Sequence, residues 1–149
     1  MTWNIQRGQA LTGRLTPADM APFAARVTAN RADVVGLQEV TQEQAAAMAA
    51  LLGWPSARYV ETKNPCPGYP PPAPAACVPF GNAILSRLPL GEAAHWPLPA
   101  SNLEAGVEAR VLLRSVVDSG GRKVSVYVTH LASGATAGER AGQRGRSSP

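Results

Sequence analysis

The chain has 149 residues, 45% of them hydrophobic, and 14 Lys and Arg against 10 Asp and Glu give a net charge of +4. That is one domain's worth of sequence, long enough to bury a core, with the apolar share of a globular protein. No apolar run approaches the ~20 residues a membrane helix needs, and Met1 leads into strand-like sequence rather than a basic and apolar leader, so no export signal is expected in the chain as given.

Residues 2–6 read as a short strand with polar groups at its end, Asn4 among them. Thr16-Pro17-Ala18-Asp19 is a helix-start signature with Thr16 as N-cap, but Pro22 moves the regular helix to near Ala21. Met20, Phe23, Ala24 and Val27 form its apolar face. Residues 32–40 read as a buried central strand, because Val34, Val35, Leu37 and Val40 leave little polar surface on either side. It carries one carboxylate, Glu39, near its far end. A carboxylate beside an apolar strand needs a partner, a hydrogen bond or a metal.

Thr41-Gln42-Glu43-Gln44 is a capping box opening an alanine-rich helix over residues 42–52, which stops at Gly53. Residues 58–62 form a third strand, and the alternation of strands with helices argues for an α/β layered domain. Residues 63–79 are a proline-rich loop holding both cysteines, Cys66 and Cys77. A disulfide there would hint at a secreted parent protein, while two free thiols would fit a reducing compartment. Residues 80–86 are a fourth strand, and residues 93–98 a short edge strand, since Pro97 and Pro99 exclude it from a sheet centre. Residues 108–118 and 123–131 are two strong strands joined by Ser119-Gly120-Gly121-Arg122, a hairpin turn, and the second ends on His130. Residues 132–149 carry Gly, Ser and Arg with no apolar face, so a disordered tail is expected. Its Arg140, Arg144 and Arg146 supply much of the positive charge.

Three polar groups therefore fall at strand ends: Asn4, Glu39 and His130. Oxygen ligands from Glu39, with help from Asn4, suit a hard cation such as Mg²⁺, and the chemistry such a site serves is attack of water on a phosphate ester. The wording of five blocks sharpens this. Thr2-Trp3-Asn4-Ile5, Asp33-Val34-Val35-Gly36-Leu37-Gln38-Glu39-Val40, Gly81-Asn82-Ala83-Ile84-Leu85-Ser86-Arg87, Glu108-Ala109-Arg110 and Val128-Thr129-His130-Leu131 resemble, in that order, the endonuclease/exonuclease/phosphatase superfamily. The resemblance covers most of residues 2–131 and implies the deoxyribonuclease-I-like fold, a four-layer αββα sandwich, here partial and lacking the C-terminal half.

It also implies roles. Glu39 matches the family's metal-binding glutamate, for Mg²⁺ or Mn²⁺, and Asn4 the asparagine near that metal. His130 matches the first of two active-site histidines, the one that contacts the scissile phosphate. Arg110 matches a position that supports the phosphate site, and Asn82 lies behind it, where it would orient His130. The family's later Gly-Asp-x-Asn and Ser-Asp-His segments have no counterpart here. Residues 1–131 are thus read as the N-terminal portion of such a domain, with 63–79 inserted and 132–149 a tail. A metal-dependent phosphoester hydrolase is the expected class, acting on nucleic acid, inositol phosphate or phospholipid headgroup. The alternatives are a non-catalytic fragment and, on the strength of charge alone, a nucleic-acid-binding module. An exposed sheet face in such a fragment predicts self-association.

Overall fold

The strand expected around Glu39 lies inside the larger of two sheets. The computed structural model describes residues 1–6, 17–62, 79–98 and 110–131. In chain order the elements are β1 (Thr2–Asn4), a 3-10 turn (Pro17–Met20) running into α1 (Ala21–Ala29), β2 (Val34–Val40), α2 (Gln42–Leu52), β3 (Ser56–Glu61), β4 (Gly81–Ser86), β5 (Leu90–Pro97), β6 (Val111–Ser119) and β7 (Arg122–Thr129). The first sheet has the order β1-β2-β4-β3, with β1 and β2 parallel and the other pairs antiparallel. The second is an antiparallel β5-β6-β7 meander.

Both helices cover one face of the first sheet. Thr41 accepts from the Gln44 amide while the Gln44 side chain accepts from the Thr41 amide, and Gly53 ends α2 in the left-handed conformation. That is the capping box read from sequence. α1 starts at Ala21 as Pro22 requires, without a side-chain cap; Thr16 lies outside the described residues. Met20, Ala24 and Val27 pack with Ala45, Met48 and Ala49 onto Val35, Leu37, Val40, Ala83 and Leu85. Trp3 stacks at a tilt on Phe23 at the margin of this core, ring centroids 4.9 Å apart.

The opposite face of the first sheet packs on the second sheet through Ile84, Leu113 and Val128, with Val34, Val60, Leu90 and Val126 around them. Gly36 permits the approach, because a Cβ there would stand 2.5 Å from Val128 Cγ2. Among the described residues the layers are therefore helices, sheet and sheet, which is part of a four-layer αββα sandwich. The edge strand begins earlier than its prolines indicate, at Leu90, and a pairing irregularity between Leu90 and Ala93 accommodates the change. The hairpin turn is tighter than read. Only Gly120 and Gly121 lie between the strands, both at positive φ, as a two-residue hairpin demands. No helix among the described residues is long and apolar enough to cross a membrane. Cys66, Cys77, residues 63–78 of the proline-rich loop and the tail fall outside the described residues.

Candidate functional site

Strict alternation along β2 would send Glu39 the way of Val35 and Leu37, into the core beneath the helices. It does not go there. Between Gln38 and Val40 the pairing with β4 slips by one residue, and Glu39 adopts φ 50, in the left-handed region. A bulge leaves one residue unpaired and re-aims its side chain. Val40 fills the helix-side core in its place, and the Glu39 carboxylate emerges at the rim where the two sheets meet. A left-handed non-glycine residue costs about 1–2 kcal/mol, roughly what one hydrogen bond to a charged group returns. Stability alone does not favour this bend; its effect is to aim a carboxylate.

Four groups from four strand ends converge there. Asn4 Nδ2, at the end of β1, donates to Glu39 Oε1 at 3.0 Å. His130 Nδ1, just past β7, lies 3.6 Å from the same oxygen, with both side chains about one-fifth exposed. Arg110 Nη1, just before β6, is 2.7 Å from His130 Nδ1. β6 and β7 are antiparallel, so the residue before one and the residue after the other share an end, and the parallel β1 and β2 bring Asn4 and Glu39 to that same end.

Asn4 faces the carboxylate with its amide nitrogen, and its Oδ1 accepts from the Gln6 backbone N–H at 2.9 Å. The two bonds together fix the orientation of the amide. Asn4 thus steadies Glu39 and turns a donor toward it, where the sequence suggests a helper ligand. Asn82 is buried in β4. Its Nδ2 donates to the Val111 carbonyl at 2.9 Å, and the Thr129 hydroxyl donates to the same oxygen at 3.0 Å. Val111 follows Arg110 and Thr129 precedes His130, so this shared carbonyl ties together the two chain segments that carry the pair. Sequence reasoning misses Thr129; its only signal is its place beside the histidine. Asp33 pairs with Arg87 at the opposite end of β2, and Asp118 accepts from the Gly121 amide in the hairpin turn.

Burial, and after it the Arg110 guanidinium, hold the His130 imidazole below its ordinary pKa; Glu39 pulls the other way without outweighing them. The sign of the pH effect follows. As pH falls through about 6.5 the unfolded chain takes up this proton, while the native ring resists until a lower pH. Stability from this group is complete above about pH 6.5 and declines as pH drops toward the lowered native value. Melting temperatures across that interval should fall more steeply for the wild-type chain than for His130→Asn. Equal slopes would show that the native ring is not held neutral.

Among the described residues no group of three or more His, Cys, Asp or Glu side chains comes together. Among the described residues the donor set at the rim is one carboxylate, whose contacts from Asn4 and His130 both fall on Oε1. Oε2 is the oxygen that geometry leaves for a cation. That suits Mg²⁺ or Mn²⁺, since Mg²⁺ commonly takes one or two carboxylates and fills its remaining positions with water and phosphate oxygens.

Two sheets face to face, helices on one outer face and a carboxylate, imidazole and guanidinium at a shared strand end define a fold of the phosphoesterase class. The chain belongs to the Endonuclease/Exonuclease/phosphatase family, whose pattern it matches over residues 1–142. It is similar to an endonuclease/exonuclease/phosphatase of Beutenbergia cavernae, with 31% identity and a TM-score of 0.76 over 95% of this chain and 41% of that one. Similarity extends to TDP2 of Caenorhabditis elegans, with 25% identity and a TM-score of 0.57 over 98% of this chain and 38% of that one. A mannosyl-6-phosphatase of Bacteroides thetaiotaomicron shares the fold at 17% identity, with a TM-score of 0.60 over 85% of this chain and 47% of that one. The chain therefore spans less than half the length of these three proteins. No curated protein matches it.

Proposed function

We propose that this chain forms the metal- and phosphate-facing part of a divalent-metal phosphoester hydrolase site, and that by itself it binds without turning substrate over. The observation that carries the reading is the meeting of Glu39, Asn4, His130 and Arg110 at one rim, from segments distant in sequence. Glu39 Oε2 is the oxygen that would hold Mg²⁺ or Mn²⁺, with Asn4 orienting the carboxylate. Such a cation, when bound, offsets the negative charge of phosphoryl oxygens. His130 and Arg110 supply N–H donors to the same oxygens. Asn82 and Thr129 hold the segments bearing those two residues. Hydrolysis further needs a base for the attacking water and an acid for the leaving oxygen. Among the described residues Glu39 is the carboxylate at this rim and is committed to the cation, while Asp33 and Asp118 are bonded elsewhere. The substrate is a phosphate ester; its alcohol part is left open.

The test uses Mn²⁺ as a paramagnetic probe on the full 149-residue chain. Added Mn²⁺ should broaden the NMR signals of Asn4, Glu39 and His130 first, and Glu39→Gln should weaken the effect by about tenfold or more. A generic phosphodiester should remain uncleaved by the same sample. Broadening that ignores Glu39→Gln would overturn the metal role. Turnover abolished by Glu39→Ala would overturn the binding-only reading and make the chain an enzyme.

A further inference from the structure

We infer that Arg110 is a positioning residue that locks the His130 ring in one neutral tautomer, with its proton on Nε2. The imidazole then donates a hydrogen bond outward and does not serve as a base. This deepens the reading above and rests on it for the identity of the acceptor, a phosphoryl oxygen.

A guanidinium carries only N–H donors and keeps its charge at every pH a protein works in. With Arg110 Nη1 at 2.7 Å from Nδ1, that ring nitrogen has no role left but acceptor. Its lone pair is occupied, and the one proton of the neutral ring sits on Nε2. Such a ring has a single donor to offer and no lone pair free to take a proton from water.

One neighbour favours the opposite tautomer. Glu39 Oε1 would accept a proton carried on Nδ1, but at 3.6 Å it stands beyond hydrogen-bonding distance. Arg110 stands well inside it, so the guanidinium decides. The fold maintains the arrangement, because Asn82 and Thr129 both bond the Val111 carbonyl and so pin the chain beside Arg110 and beside His130. Removal of a proton from an attacking water then falls to a group other than His130.

The chain has two histidines, and His95 is exposed, which makes it an internal reference. Long-range ¹⁵N–¹H spectra of the labelled full-length chain at about pH 8, above the ordinary imidazole pKa of about 6.5, read each ring's tautomer directly. For His130 the ratio in favour of Nε2–H should exceed that of His95 by roughly tenfold, the scale of one hydrogen bond from a charged donor. Arg110→Met should abolish the excess and move the proton toward Nδ1, facing Glu39. Arg110→Lys, which keeps a donor and the charge, should retain part of it.

A His130 ring that matches His95, or that carries its proton on Nδ1, would overturn the inference. So would an Arg110→Met chain with native-like spectra and an unchanged ratio. If Arg110→Met does not fold, the wild-type ratio measured against His95 decides the matter. The spectrum reads the ring and not phosphate binding. A locked ring in a chain that binds no phosphate would therefore defeat the functional reading alone, and a freely exchanging ring in a chain that binds phosphate would defeat this inference alone.

Discussion

Alanine at position 81 is expected to bring the domain close to unfolding. A Cβ built on Gly81 would overlap the Val60 carbonyl oxygen and stand 2.8 Å from the Glu61 Cα. Both obstacles are backbone of β3, the strand paired with β4 at this point, so neither can rotate aside. The contrast is Gly36, where the nearest atom is the end of the Val128 side chain. Overpacking a core costs about 1–3 kcal/mol when side chains can shift. With backbone in the way, Gly81→Ala belongs at or above the top of that range, a large share of the ~5–15 kcal/mol that holds an ordinary domain together. Urea unfolding of the two variants should place Gly81→Ala well below Gly36→Ala in midpoint. The reverse order would mean that β3 and β4 are not held at this spacing. The rim would suffer as well, because Asn82 follows directly and carries the bond to Val111.

The second large effect separates function from stability at one residue. Glu39→Ala and Glu39→Gly both remove the carboxylate, and both should lose Mn²⁺ binding entirely. They also lose the same contacts to Asn4 and His130. What distinguishes them is the backbone. Glycine within a strand ordinarily destabilises by roughly 0.5–1 kcal/mol relative to alanine, yet at φ 50 the alanine keeps the left-handed penalty of about 1–2 kcal/mol and the glycine does not. Glu39→Gly should therefore melt at or above Glu39→Ala, against the usual order. If thermal melting finds Glu39→Gly clearly less stable than Glu39→Ala, no left-handed bulge is present.

Hydropathy periods account for much of what the primary structure reveals. The buried run of β2, the capping box of α2 and the Gly-Gly turn of the hairpin are local patterns, decided by residues within a few positions of one another. The five motif blocks indicate the family and the end of the sheets at which polar groups collect. Where individual side chains bond is not legible in the same way. From sequence Asn4 reads as an oxygen donor to a cation, yet it turns its nitrogen to Glu39. Asn82 reads as a partner of His130, and its amide nitrogen reaches across to the Val111 carbonyl. Both depend on which atom of another strand lies opposite, and that is a long-range matter.

The chain's own order of residues determined the elements, the two apolar faces of the first sheet and the identity of the acid, amide, guanidinium and imidazole. The tertiary structure alone decided how those groups face one another. Glu39 leaves the helix-side core only because β2 slips against β4, and Arg110 meets His130 only because β6 and β7 pair antiparallel and end together. Strand register and the φ of a single residue are settled by pairing across dozens of intervening positions, and no local window of sequence contains that information.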